Sequence, residues 1–195
     1  MKYPALLVPT TTQPFTLPSS GTVKVPKATP AFAPWTGPPP ADTYNGKAVL
    51  QYGDRPAFAE LAILWGLNSA GWDGVWIDTY SRMYRTGYWD SPAVTELPSE
   101  PGAVLGRIRQ AAGSRFGAWD VFCWRRTEVL FAESKRTGRD AIRATQVRWL
   151  EAALSIGLSP SEFLLVEWSI AESAKVGGLN ALVGGPNDRA VGGTP

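Results

Sequence analysis

The 195-residue sequence contains no histidine and a single cysteine, Cys123. Without histidine there is no Ser-His-Asp triad, no Cys-His nucleophile and no histidine-based phosphodiester chemistry. With only one thiol there is also no zinc site built on His and Cys, and no intrachain disulfide. Cys123 lies inside the apolar run "VFCW", where a thiol serves as a small buried hydrophobe. Long apolar runs are missing too: no stretch of about 18 such residues occurs, so no transmembrane helix is expected. Prolines interrupt the start, "MKYPALLVPTTTQPF", every few residues, which removes the apolar core of a secretory signal. The expectation is a soluble, cytoplasmic protein in which any catalysis falls to carboxylates, Lys, Arg, Ser, Thr or Tyr.

What is present is unevenly charged. The net charge is +2, yet residues 82–148 hold twelve Lys and Arg against seven Asp and Glu, while residues 51–81 and 149–195 are each acidic by three. The basic excess suits either a polyanionic partner or a solvated basic face.

Ten of the 17 prolines fall in residues 1–40, so residues 1–48 read as a Pro-rich extension, with "TVKVP" able to add a short edge strand. Residues 177–195 read as a Gly-rich tail. The domain between, 49–176, shows a compact pattern. "DRPAFAELAILWGLNSAG" predicts a buried helix with Asp54 as N-cap and Pro56 in its first turn, ending near Gly71. "GVWIDTYS" predicts a strand. Pro92, Pro98 and Pro101 mark a loop over 82–101, and a short helix follows near "GAVLGRIRQAA". "DVFCWRRTEVLFAESK" gives a hairpin, "RDAIRATQVRWLEAALSIG" a helix closing at Gly157, and "EFLLVEWSI" a last strand. The class is α/β, a small mixed β-sheet flanked by helices.

The hairpin carries the chemistry. Side chains alternate along a strand, so Val129, Phe131, Glu133 and Lys135 share a face, as do Asp120, Phe122 and Trp124. A two-residue turn at Arg126–Thr127 sets Arg125 opposite Glu128 and therefore Asp120 opposite Glu133. Directly opposed carboxylates repel. A divalent cation held by both would offset that repulsion, and oxygen ligands suit Mg²⁺. Lys135, on the same face, can orient a water or steady charge on a phosphate. An interstrand salt bridge at a sheet edge is the competing reading.

In the following helix Ile142, Trp149, Leu150 and Ala153 form an apolar stripe with Gln146 in its middle, and a buried amide needs partners. The returning helix can bring Gln146 over the strand of Lys135, or the amide can bond a loop backbone. Arg139 and Arg143 precede it by seven and three residues and flank the same side, where they can meet phosphates. Glu60 lies on the apolar face of the first helix, placed either to reach the same site or to snorkel to solvent. Trp72, Trp76 and Trp89 are available as base-stacking platforms or as core.

"WDV" with Asp120, then "ESK" with Glu133 and Lys135 thirteen residues on, then "QVRWL" with Gln146 together resemble the PD-(D/E)XK nuclease superfamily. The nearest branch is VRR-NUC, related to Holliday-junction resolvases. The resemblance covers about residues 55–168. A Trp stands where many members have Pro before the Asp, and the insertion over 80–117 has no counterpart. The resemblance implies a restriction-endonuclease-like αβββαβ core. It implies Mg²⁺ or Mn²⁺ bound by Asp120, Glu133 and a backbone carbonyl such as that of Ser134, with Glu60 as a further or second-metal contact. Lys135 and Gln146 would complete the catalytic set, Arg139 and Arg143 would bind nucleic acid, and the substrate would be DNA, RNA not excluded. A homodimer is compatible with it. Two alternatives stand beside the nuclease: a nuclease-like fold that binds nucleic acid without cutting, and a module that engages partners through the Pro-rich segment.

Overall fold

The structure, a computed structural model, describes residues 2–19, 21–41, 43, 46–78, 81–88 and 91–171. The expected Gly-rich tail and Trp89 lie outside the described residues. The protein is α/β, with three α-helices, an eight-stranded mixed open sheet and a separate small hairpin. Among the described residues no helix is long and apolar enough to cross a membrane.

The centre of the sheet follows the predicted pattern. β8 (Val121–Arg125) and β9 (Glu128–Arg136) form an antiparallel hairpin paired from Val121↔Ala132 to Arg125↔Glu128, the register expected from the sequence. Its turn is Arg126–Thr127, and Arg126 takes a φ of +54°, a value that two-residue hairpin turns usually give to glycine or asparagine. The apolar alternation of both strands sets the register there, in spite of the turn residues. β6 (Asp73–Asp78) lies antiparallel to β8, and β7 (Met83–Arg85) lies beyond β6 at the edge. On the other side β10 (Phe163–Ile170) runs parallel to β9, reached through helix α3 (Ala144–Ser155).

Three expectations need correction. The N-terminal segment is not an arm: the strand expected at "TVKVP" is there as β2 (Gly21–Ala28), but it lies inside the sheet and not at its edge, forming a hairpin with the outermost β1 (Thr11–Leu17), and β2 and β3 (Ala31–Phe32) pair in parallel with β10. Phe15, Leu17 and Val25 alternate onto the buried face, and Pro14 lies on β1, the outer strand, where sheets tolerate proline. The first helix, α1 (Ala59–Ser69), starts five residues later than Asp54. Gly53 and Asp54 instead turn a hairpin between β4 (Leu50–Tyr52) and β5 (Arg55–Ala57), with Gly53 at φ +60°. Gly-Asp is itself a hairpin signal, and it prevails over the capping signal of Asp54 and Pro56. Finally, α3 begins at Ala144, so Arg139 and Arg143 occupy the loop before the helix. Helix α2 (Ser99–Ala112) covers the predicted short helix and its approach.

The helices cover the two faces. α1 packs on the face carrying Val121, Cys123, Leu130, Ala132, Leu164 and Val166. α2 and α3 cover the other, where Phe122, Phe131 and Phe163 stand side by side on β8, β9 and β10. Phe131 stacks on Phe122 at 4.5 Å between centroids and on Phe163 at 5.4 Å, and Trp149 of α3 meets it edge-on at 4.9 Å. Offset and edge-to-face geometry adds to the area these rings bury. This aromatic layer anchors α3 over β9. Trp72 and Trp76 are buried in the opposite layer and serve as core.

Phe131→Ala should remove the middle ring, leave a cavity and cost about 3–5 kcal/mol in stability. Urea unfolding followed by tryptophan fluorescence measures this, and a loss under about 1 kcal/mol would show that the layer does not hold α3 in place.

Candidate functional site

At one end of β9 the sheet opens into a cleft of about 850 Å³ lined by Lys47, Glu60, Phe116, Gly117, Asp120, Glu133, Ser134, Lys135, Arg136, Arg139, Arg143 and Gln146, among others. All eight residues named from the sequence, Glu60, Asp120, Glu133, Ser134, Lys135, Arg139, Arg143 and Gln146, line this one space.

Asp120 is the residue before β8, and its backbone carbonyl accepts from the Ile77 N–H at 2.7 Å. Its side chain turns toward β9, where Oδ2 accepts from the Ser134 backbone N–H at 3.0 Å. The carboxylate thus takes over where the β8–β9 ladder stops. Glu133 has no exposed surface. Its Oε1 accepts from Lys135 Nζ at 2.5 Å and from Gln146 Nε2 at 2.5 Å, while Oε2 is buried with no hydrogen-bond partner among the described residues. A buried carboxylate oxygen left bare in this way is costly.

Gln146 is only 8% exposed, and its Oε1 accepts from the Arg143 backbone N–H at 2.9 Å. One amide therefore ties the start of α3 to Glu133, and its two partners fix which end is oxygen. Ser134 turns its hydroxyl to the opposite face, where Oγ accepts from Trp168 Nε1 at 3.0 Å. Glu60 reaches the cleft from α1 and is ion-paired with Lys47 at 2.5 Å. Among the described residues no three Asp, Glu or Cys side chains converge as a metal-binding group. The acidic centre is the pair Asp120 and Glu133, with Glu60 at one remove.

Electrostatics set this pair apart. Burial, with the Glu60 charge adding to it, pushes the Asp120 carboxyl up to about 6 against the opposing pull of Lys135 and the Ser134 N–H. Burial and then the Asp120 charge raise Glu133 well above the ordinary glutamate range, with Lys135 opposing. Desolvated like charges side by side favour a shared proton or a bound cation. The donor chemistry fits a hard divalent ion: carboxylate oxygens, one of them bare, beside a strand backbone.

Several cleft residues left little mark in the sequence. Lys47 is an isolated base in "NGKAVL", and Arg136 follows a lysine already assigned; neither belongs to a pattern. Gly117 carried a clearer signal as a glycine next to the hairpin. Its φ is +91°, and a Cβ there would lie 2.2 Å from the Thr145 carbonyl oxygen. Only glycine lets the chain entering β8 lie directly on the first turn of α3.

No family model, curated protein or solved structure matches the chain. The likeness to the nuclease superfamily therefore rests on the residues of the hairpin and α3 alone.

The raised carboxyls give a testable pH dependence. Between about pH 4 and 6 the unfolded chain has already lost the Asp120 proton while the folded chain keeps it. The native state then binds more protons, and stability falls as pH rises through that window. In EDTA, Asp120→Asn should match wild type near pH 4 and exceed it by about 1–3 kcal/mol near pH 7.5. Parallel stability curves for the two proteins would contradict the assigned environment of Asp120.

Proposed function

We propose that the chain is a metal-dependent nuclease that hydrolyses phosphodiester bonds of DNA on a restriction-endonuclease-like αβββαβ core. The succession α1, β6, β8, β9, α3, β10 supports that core, with β7 and α2 inserted between its first two strands. The observation that carries the activity is the fully buried Glu133 next to the half-buried Asp120, with Lys135 beside them, at the floor of a cleft bordered by Lys47, Arg136, Arg139 and Arg143.

Asp120, Glu133 and the Ser134 backbone carbonyl would hold Mg²⁺ or Mn²⁺, with Glu60 available as an outer contact. Such an ion supplies Lewis acidity and a water of lowered pKa. The remaining work belongs to the chain. Arg139 and Arg143 have no ion-pair partner among the described residues, which leaves their guanidinium groups for phosphate oxygens. Gln146 holds the Glu133 carboxylate in place by donating from Nε2 to Glu133 Oε1. Lys135 is hydrogen-bonded to that same oxygen, within reach of a water on the acidic pair, and its ammonium stabilises negative charge developing on the phosphate. Hydrolysis adds water to phosphorus and breaks one P–O bond, leaving a phosphate monoester and a hydroxyl.

Purified protein with labelled single-stranded, duplex and branched DNA should cut at least one substrate in Mg²⁺ or Mn²⁺, and EDTA should abolish cutting. Lys135→Ala should lose about 100-fold or more in cleavage while still binding DNA through Arg139 and Arg143. Asp120→Ala should also fail to cut and should bind DNA at least as tightly, having lost a negative charge beside the phosphate path. If wild type and both variants bind DNA equally and none cuts any substrate, the chain is a non-catalytic nucleic-acid-binding protein on a nuclease-like fold.

A further inference from the structure

Phe116 is 63% exposed, the most exposed of the large apolar side chains among the described residues, and it lines the cleft. It has no ring partner among the described residues. Nor is its backbone loosely held. The Phe116 N–H donates to Ser114 Oγ at 3.0 Å, and the next residue, Gly117, lies against the Thr145 carbonyl with no room for a side chain. The largely exposed ring is thus presented to the cleft from a pinned stretch of chain beside the start of α3.

We propose that Phe116 is the base-stacking residue of this cleft, and that the DNA it admits is single-stranded or locally unpaired where it meets the acidic pair. The inference rests on the nuclease reading above and adds the substrate class to it. Within an intact duplex each base face is covered by its neighbours, and only base edges are open in the grooves. An aromatic face at the rim has a surface to stack on only where a base is unpaired or turned out.

The depth of the site points the same way. Glu133 is fully buried, and the cleft above it, about 850 Å³, falls in the size range of small-molecule pockets, about 300–1,000 Å³. A group that reaches Glu133 has to enter this recess, which a single strand or a turned-out nucleotide does more readily than a stiff paired one. The composition of the walls matches as well. Arg139 and Arg143 provide charge for a backbone, and Phe116, whose neighbour Gly117 packs on the first turn of α3, provides a face for a base, the combination that single-strand grooves use.

Fluorescence anisotropy in EDTA, where cutting cannot occur, tests this with the full chain and two probes: a labelled oligo-dT strand and a blunt duplex of equal length. Wild type should bind the single strand more tightly than the duplex. Phe116→Ala should lose about 5- to 100-fold of its single-strand affinity, with an unchanged melting temperature because the ring is mostly exposed. Phe116→Trp should retain the affinity. Leu6→Ala removes another exposed apolar side chain, one that does not line the cleft, and should change nothing. A 2-aminopurine in the strand should be quenched on binding wild type and not on binding Phe116→Ala. If Phe116→Ala binds the single strand as wild type does, or wild type prefers the duplex, this inference falls and the nuclease reading stands. If wild type binds neither probe, either in EDTA or with Ca²⁺ added to neutralise the acidic pair, the nucleic-acid reading of the cleft falls, and this inference with it.

Discussion

The carboxylate of Glu133 is buried completely, and much of the architecture follows from that fact. Removing an ion from water costs several kcal/mol even after relaxation, so a chain that does this has to supply partners of good geometry. Lys135 and Gln146 both donate to one oxygen, and among the described residues nothing donates to the other. Asp120 is added on the same side, where its charge works against Glu133. For stability alone this arrangement is poor: an apolar residue at position 133 would continue the run of Val129 and Phe131 into the core. Local conflicts of this kind are expected where a protein gives up stability for chemistry.

Holding the conflict in place requires rigidity around it. The layer of Phe122, Phe131 and Phe163, closed by Trp149, fixes α3 over β9. Gly117 lets the chain entering β8 lie on the first turn of that helix. Between these two attachments Gln146 joins the Arg143 backbone to the Glu133 carboxylate. Both attachments lie a few residues from the charges they support, on the same strands and the same helix. A shift of α3 by a fraction of an ångström would be felt first at Glu133, because a buried hydrogen bond to a charged group tolerates little misalignment.

The parts of this arrangement that the sequence made legible are those governed by strict periodicity. Alternation along β8 and β9 gave the register found, even though Arg126–Thr127 is an unfavourable turn for it; the ladder stops one pair short of Asp120 and Glu133, and the Asp120 side chain reaches β9 through the Ser134 N–H. A polar residue in an apolar helical stripe marked Gln146. The start of α1 was obscured because Asp54 and Pro56 imitate a helix N-terminus while Gly53 and Asp54 turn a hairpin. Of the β1–β2 hairpin only the "TVKVP" strand showed through the high proline content, since composition says nothing about which prolines fall on an outer strand. Lys47 could not have been found at all. Its place beside Glu60 is a consequence of tertiary packing that no local pattern records.

On the proposed reading, the charges of the cleft would let one space take a cation and a phosphate together. Glu60 is held by Lys47, Glu133 by Lys135, and Asp140 accepts from the Arg136 backbone N–H. Arg139 and Arg143 stand outside these pairings. The cleft is therefore layered: a carboxylate floor that repels anions and a guanidinium rim that attracts them. A phosphate drawn to the rim meets repulsion at the floor unless Asp120 and Glu133 are neutralised, by protons or by a divalent ion. Lys135 belongs to both layers, bound to Glu133 while the floor is bare and able to turn to a phosphate once another cation takes over the carboxylate. A lysine is suited to that exchange, because a compact charge on a flexible stem changes partners more readily than a bidentate guanidinium locked to a carboxylate.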